Sequence, residues 1–493
     1  MNAITDPGAE RLILIRLSAE LTTKARGTRR RFTRKLLENI REALRETGEQ
    51  FHAESQWTRV YVRTAAHDAV ERLARIPGLS SMSLVEGTCA ADLDEIVRVG
   101  REIFAERVRG RRYAVRAKRT GSHHFSSHDV QQQLGAALNP GAKVDLGNPD
   151  VEVEVEIRDR SVHFFSGRVP GLGGLPLGVE GKAVCLLSGG FDSAVAAWLM
   201  LKRGVEMDYV FCNLAGEAYE RSVVQVAKVL ADDWSYGTRP RLHAIDFGPV
   251  LDELRAHSQP KYWQLVLKRL MYRAAEAVAR EVRSAAIVTG EALGQVSSQT
   301  LANLAAIDPA TGLVVFRPLL GFDKSEIVDR ARQIGTFEIS ARVKEYCAIA
   351  PGNPVTSATP DAAAREESGV DLGVLSRVVA ERRIIDLRTV NSADLVEAYL
   401  YTESVPENAV VIDLRGESSG GEWEYPGAVR REYWDVAARI GEMDASRSYV
   451  IYCDAGMQAV QLAEQMQRAG LDAFAFRGGT RALRESTAAG TAG

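Results

Sequence analysis

Cysteine is scarce in this chain: five in 493 residues (Cys89, Cys185, Cys212, Cys347 and Cys453), with no CxxC pair among them. Such usage excludes a disulfide scaffold and a CxxC-type zinc or iron–sulfur centre, so cysteine chemistry is expected to be catalytic. No run approaches the roughly 18 to 20 apolar residues that a membrane span requires, and the N-terminus lacks a basic-then-apolar segment. A cytoplasmic protein without membrane contact is expected. The GxxxxGK[ST] phosphate loop is also missing, which removes the kinases and GTPases that depend on it. Net charge is only −3, yet residues 1–170 hold 28 Lys+Arg against 23 Asp+Glu, an excess of five that leaves −8 for the remainder. Lys24 to Lys35 and Arg107 to Arg119 each carry seven cations and no acid. Clusters of this kind favour phosphate backbones, with a solvated helix or strand face as the plain alternative, and make Lys24, Arg26, Arg111, Arg112 and Arg116 candidate contacts to such a backbone.

Periodicity organises the rest. Arg11 to Leu17 reads as a strand, Thr28 to Arg45 as a basic amphipathic helix, and Thr58 to Thr64 as a strand before the helix His67 to Arg75, a small α+β unit of ferredoxin-like pattern. A second unit starts near Ser83, with a helix from Ala91 to Glu106, a strand from Tyr113 to Arg119 and a helix from Val130 to Leu138. Val151 to Ile157 alternates apolar residues with glutamate, so its acidic face is expected in water; Ser161 to Arg168 completes a hairpin. Gly171 to Gly181 reads as a glycine-rich connection. From Lys182 to about Ile339, strand-like runs (Ala183–Leu187, Met207–Asn213, Arg241–Phe247, Ala285–Thr289) alternate with helical patterns. That order predicts a doubly wound parallel sheet with its ligand site at the carboxyl ends of the strands. After Pro351 the chain turns to Pro, Thr, Ala and acidic residues and reads as a linker, and from about Ser376 a smaller α/β unit follows, with buried strands at Val410–Arg415 and Tyr449–Tyr452.

Ser188-Gly189-Gly190-Phe191-Asp192-Ser193 lies between the run Ala183–Leu187 and the helix-like Ala194–Lys202. A strand, a glycine turn and a helix start gather backbone N–H groups and the positive helix end around one point, where a phosphate would settle. As it stands, SGGFDS resembles the pyrophosphate-binding loop of the ATP pyrophosphatases, enzymes that adenylate a carbonyl oxygen so that a nucleophile can displace AMP. Near the other end, Cys453 directly follows the strand Tyr449–Tyr452 and precedes the helix Ala459–Arg468. Backbone N–H groups and a helix N-terminus at that place favour thiolate. With Val411-Ile412-Asp413-Leu414-Arg415 and Tyr425-Pro426-Gly427-Ala428, this resembles a rhodanese domain, whose loop cysteine carries a persulfide. The loop has Asp454 and no cation, so the resemblance points to a protein-bound persulfide rather than thiosulfate as donor.

Taken in order, these segments resemble the tRNA uridine 4-sulfurtransferases, the thiamine-biosynthesis ThiI family. The resemblance implies a multidomain α/β protein: a ferredoxin-like domain at residues 1–80, a THUMP RNA-binding domain at 81–170, an ATP-pyrophosphatase domain at 171–352, a linker at 353–375 and a rhodanese domain at 376–493. It makes Leu186 and Leu187 backbone contacts to adenine, Ser188, Gly189, Gly190, Phe191, Asp192 and Ser193 the phosphate cradle, and Lys268, Gly290 and Gln299 further nucleotide contacts. Asp192 is then an essential carboxylate, acting through Mg²⁺ or in deprotonation. Lys324 matches a lysine near the transferring phosphate, and Cys347 a second catalytic cysteine that resolves the Cys453 persulfide. ATP and Mg²⁺ are the implied cofactors. The implied partners are tRNA, a cysteine desulfurase, a cytosolic thiol reductant and the sulfur carrier protein of thiazole synthesis. The alternative activity is a persulfide relay for thiamine thiazole synthesis, with a secondary ATP site.

Overall fold

The computed structural model describes residues 10–214, 216–341, 353–390, 400–415, 423–453 and 457–490. The chain divides into two compact units, Met1–Val179 with Lys202–Gly204, and Glu180–Leu201 with Val205–Gly493.

The first unit holds two five-stranded sheets. One has the order β10-β4-β1-β3-β2, built from β1 (Arg11–Leu17), β2 (Phe51–Gln56), β3 (Arg59–Thr64), β4 (Leu79–Val85) and the short β10 (Val169–Pro170), all neighbours antiparallel. The helix Arg26–Arg45 buries Phe32, Leu36, Ile40 and Leu44, and its cations sit on the opposite face, as the 3.6-residue period requires. The other sheet has the order β5-β9-β8-β6-β7, from β5 (Gly87–Ala90), β6 (Arg112–Thr120), β7 (Lys143–Val144), β8 (Val151–Arg158) and β9 (Ser161–Phe165). Helices Leu93–Val108 and Ser127–Leu138 pack on it; Asp92 caps the first and a Ser126–Asp129 capping box starts the second.

The acidic face of β8 is in water at Glu152 but not at its other two glutamates. Glu154 and Glu156 are 6% and 3% exposed. Arg168 Nε donates to Glu154 at 2.8 Å, while Arg59 and Arg158 donate to Glu156 at 2.8 and 2.7 Å, and Arg16 lies 3.4 Å from it. Alternation correctly placed the glutamates on one face, but Glu154 and Glu156 are covered by Arg16, Arg59 and Arg168 from outside the strand and by Arg158 at its end, and the ion pairs permit the burial.

The second unit begins with a six-stranded sheet of order β15-β14-β11-β12-β13-β16. Its strands are β11 (Lys182–Leu186), β12 (Glu206–Asn213), β13 (Arg241–Asp246), β14 (Ala286–Val288), β15 (Val314–Phe316) and β16 (Arg383–Asp386). The first five are parallel and β16 runs antiparallel to β13. Chain order reverses between β11 and β14, so the crevice at their carboxyl ends is the switch point where such sheets take ligands.

The segment read as a linker is helical and belongs to this sheet's surroundings. Thr359 caps the helix Pro360–Ser368, with Pro360 in its first turn, and a second helix covers Leu372–Ala380. Glu367 accepts from Arg269 and Arg273 at 2.7 Å, and Leu375, Val378 and Val379 join the core under the helix Trp263–Glu281. Strand β16 then adds an edge that composition did not reveal. A last, all-parallel sheet follows, β17-β21-β20-β18-β19, from β17 (Tyr401–Thr402), β18 (Val410–Asp413), β19 (Val429–Arg430), β20 (Ser448–Tyr452) and β21 (Asp472–Phe476).

Candidate active site

SGGFDS occupies the turn from β11 into the helix Phe191–Lys202, at the switch point. Two serines set its shape: Ser188 N donates to Ser193 Oγ at 3.0 Å, Ser193 Oγ donates to Ser188 O at 3.2 Å, and Gly190 N donates to Ser188 Oγ at 3.3 Å. The loop after β14 presses on it from the side. At Gly290 an added Cβ would lie 2.5 Å from Ser193 N and 2.6 Å from Asp192 C, so glycine here is a matter of close approach.

Asp192 is 7% exposed, and Lys324 Nζ donates to both of its carboxylate oxygens at 3.0 Å. Lys324 opens the helix Lys324–Ile334, where an Asp323–Glu326 capping box fixes the first turn. Its ammonium also lies 5.7 Å from the Phe191 ring centroid, and Phe191 stacks on Phe337 at 5.4 Å. Residues 132 apart in sequence thus meet beside the glycine loop.

A cavity opens from this point. Leu186, Leu187, Lys268, Gly290 and Gln299 line it together with Ser188, Asp192 and Ser193, so most of the expected nucleotide residues share one wall system. Leu187 N donates to Val210 O at 2.9 Å; its N–H is therefore committed to the sheet and not available to a base. Gln299 Oε1 accepts from Ala292 N at 3.1 Å.

Sequence reasoning missed several lining groups. Phe211 and Tyr219 form an aromatic pair, centroids 5.5 Å apart, near Leu214 and Met271. Glu291, 1% exposed, accepts from Tyr272 at 2.6 Å, Thr289 at 3.0 Å and Arg317 at 2.8 Å, and its Oε1 lies 3.9 Å from Lys268 Nζ. Burial pushes this carboxyl up, but Lys268, Tyr272 and Arg317 outweigh it and hold it below the usual range. Cys212, at the end of β12, is the opposite case: burial pushes its thiol up, and nearby Lys268 only partly offsets that. Glu291 directly follows Gly290 in sequence, which was the one available signal. An apolar and aromatic wall facing a glycine loop, with cations between, suits a nucleoside triphosphate.

Comparison with known proteins agrees with this geometry. Family models match for "Thiamine biosynthesis protein (ThiI)" over residues 178–372, the ThiI ferredoxin-like domain over 12–83 and the THUMP domain over 90–165. The tRNA sulfurtransferase of Desulfurococcus amylolyticus is 36% identical over 476 residues, 96% of this chain and 98% of that protein. The chain belongs to the tRNA sulfurtransferase family. A further member from Colwellia psychrerythraea is 36% identical, covering 90% of this chain and 95% of its own. Among solved structures, a 4-thiouridine synthetase in complex with RNA and bound ATP superposes with a TM-score of 0.67 at 32% identity, over 76% of this chain and 99% of that one.

As a sulfurtransferase, the protein has two further sets of expected residues. Lys24 and Arg26 are exposed, and Lys24 lies 5.8 Å from the Phe32 ring centroid. Arg111 is exposed as well. Arg112 and Arg116 are partly committed: Arg112 grips Asp150 through Nε and Nη2, at 3.2 and 2.7 Å, and Arg116 Nε donates to Glu152 at 3.0 Å. Asp150 is pulled down to about 2 by the Arg112 hydrogen bond. Cys453 is 1% exposed at the end of β20, and its carbonyl accepts from Thr480 N at 3.4 Å. Cys347 lies outside the described residues.

Proposed function

We propose that this chain adenylates O4 of a tRNA uridine with ATP and replaces that oxygen with sulfur carried as a persulfide on Cys453, giving 4-thiouridine. The observation that carries the reading is the Asp192–Lys324 pair on the SGGFDS loop at the sheet's switch point. ATP lies with its base toward Phe211, Leu214 and Met271 and its phosphates on Ser188 to Ser193. Uridine O4 attacks the α-phosphorus and pyrophosphate leaves, its charge offset by Lys324. Asp192, whose carboxylate oxygens are hard donors shared with Lys324, would hold Mg²⁺, and the ion would supply neutralisation of polyphosphate charge. In the sulfur half, the terminal sulfur of the Cys453 persulfide attacks C4 and AMP leaves. The Cys347 thiolate then attacks Cys453 Sγ, releasing 4-thiouridine and leaving a Cys347–Cys453 disulfide for a thiol reductant.

On this reading residues 376–493 include a rhodanese-type domain loaded by a cysteine desulfurase, and the basic surfaces of the first unit contact the tRNA backbone. The same persulfide can serve the carrier protein of thiazole synthesis.

The test is an incubation of the protein with ATP, Mg²⁺, unmodified tRNA, a cysteine desulfurase and cysteine, read by near-ultraviolet absorbance of thiolated uridine. Signal lost in both Asp192→Ala and Cys453→Ala, with persulfide still loading on Asp192→Ala, is the expected result. Retained thiolation in either variant overturns the corresponding half of the mechanism.

A further inference from the structure

Glu291 belongs to the wall of the cavity beside Gly290, and its two carboxylate oxygens are used unequally. Oε2 takes all three hydrogen bonds, from Tyr272, Thr289 and Arg317. Oε1 is sealed from solvent and accepts none. The cation that faces it is Lys268, whose Nζ stands 3.9 Å away, inside ion-pair range and beyond hydrogen-bond length. Lys268 makes no other ion pair or hydrogen bond among the described residues. Lys324 is the contrasting case, because Asp192 already accepts from it through both oxygens.

The surroundings hold the carboxylate still. Lys268 and Tyr272 lie four residues apart on the helix Trp263–Glu281, so ammonium and phenol leave the same face and reach one acid. Arg317 backs that acid from the end of β15 and is itself held by Asp308, while its Nη2 donates to Tyr272 Oη at 3.1 Å. Rotating the carboxylate would break three hydrogen bonds at once in a buried place, where each unmade bond costs the desolvation of its partner. Tyr272 is fully buried, whereas the Lys268 side chain is 30% exposed and lines the cavity with Leu267 and Met271. A buried carboxylate oxygen without a hydrogen bond is unfavourable, so its place behind a part-exposed ammonium needs a reason. At 3.9 Å in a shielded site the attraction is strong, yet the ammonium can lean into the cavity without breaking any hydrogen bond.

We propose that Glu291 is a positioning residue for the nucleotide: its immobilised charge at Oε1 keeps the Lys268 ammonium at the cavity wall, with its N–H donors left to meet a phosphate oxygen. Glu291 itself touches no ligand and acts through Lys268. The phosphate as the ammonium's target rests on the ATP reading above; the Glu291–Lys268 arrangement does not. An ammonium already held in place loses less freedom when the anion arrives, and that raises affinity without a new contact.

The experiment is a double-mutant cycle on the full-length protein, with Glu291→Gln, Lys268→Met and both together, read by calorimetric titration with ATP and Mg²⁺ and by thiolation kinetics. Glutamine keeps the shape of glutamate, and its one carbonyl oxygen can still accept from Tyr272, Thr289 and Arg317, while the amide group turned to Lys268 carries no charge. Lys268→Met is expected to weaken ATP binding by about thirtyfold and Glu291→Gln by about tenfold, with the double variant within about twofold of Lys268→Met, since the carboxylate acts only through the ammonium. KM for ATP is expected to rise with the dissociation constant while kcat at saturating ATP changes by less than about threefold, the pattern of an interaction made in both ground and transition state. A purely structural role for Glu291 predicts independent effects that multiply in the double variant, and that result overturns the proposal. So does Glu291→Gln with wild-type affinity beside a weakened Lys268→Met. Wild-type ATP affinity in Lys268→Met removes that lysine from the nucleotide contacts, a failure of the ATP reading at this residue that the other outcomes do not imitate. If Glu291→Gln does not fold, Tyr272→Phe, which takes away one of the donors fixing the carboxylate, enters the same cycle with Lys268→Met, and multiplicative effects there equally overturn the coupling.

Discussion

Replacing Gly290 with alanine tests the site at its tightest point. The new methyl would sit 2.5 Å from Ser193 N, 2.6 Å from Asp192 C and 2.7 Å from Ser193 Cα. All three are backbone atoms at the start of a buried helix, so no side-chain rotation can relieve the overlap. Non-bonded contacts settle near 3.5–4.0 Å, so the two loops must part by roughly 1 Å. Overpacking of this kind costs about 1–3 kcal/mol, or roughly 2–12 °C in melting temperature for a domain of this size. The larger effect falls on function. A displacement near 1 Å in a positioning element costs on the order of 100-fold in rate, and the atoms displaced belong to the loop that carries Asp192. Thermal denaturation with and without ATP, together with thiolation kinetics, measures both. The expected outcome is a lowered melting point, a lost ATP-induced shift and a rate at or below one-hundredth. A variant with a lowered melting point but unchanged kcat/KM would show that the close approach only packs the domain, and would refute the positional argument.

Lys324→Ala is expected to lower kcat by about 100-fold or more with a smaller change in KM for ATP if, as proposed, its ammonium offsets charge that grows as pyrophosphate leaves; a change confined to KM would contradict that role. Glu156→Gln should destabilise the first unit by about 3 kcal/mol, since three arginines lose their shared buried charge. The pH dependence follows from the sign of the shift: burial pushes this carboxyl up, but Arg158 and Arg59 outweigh it and hold it below its usual value, so its contribution is present above about pH 4.3 and lost as pH falls through the lowered folded value. In Glu156→Gln that part of the acid-side slope should vanish from urea melts taken between neutral and acid pH; an unchanged slope refutes it. Arg111→Ala is expected to flatten the log–log salt dependence of tRNA binding by about one ion. Arg112→Ala and Arg116→Ala should flatten it less, because Asp150 and Glu152 already partner them, and equal slopes for all three would speak against the pairing.

Local pattern carried most of the architecture. The alternation of strand and helix after Lys182, the glycine loop and the cysteine at a strand end are short-range features, set by backbone geometry within a dozen residues. They were enough to place SGGFDS between the first strand of the parallel sheet and its helix, where a cavity opens. Where reading failed, the deciding partner was distant in sequence. Glu154 and Glu156 of β8 look solvent-facing until Arg16, Arg59 and Arg168 arrive from other strands and loops. Residues 353–375 look like a linker because Pro, Thr, Ala and acidic residues dominate them, yet Glu367 finds Arg269 and Arg273, and β16, read as part of the next unit, finds the edge of β13. The sequence alone determined that a phosphate loop and a strand-end cysteine exist on one chain, since both are local chemistry. Only the tertiary structure decided that Lys324 pairs with Asp192, that Glu291 holds its charge behind Lys268, and that Gly290 has no room for a methyl, because each depends on side chains or backbone brought together by packing between elements far apart in the chain.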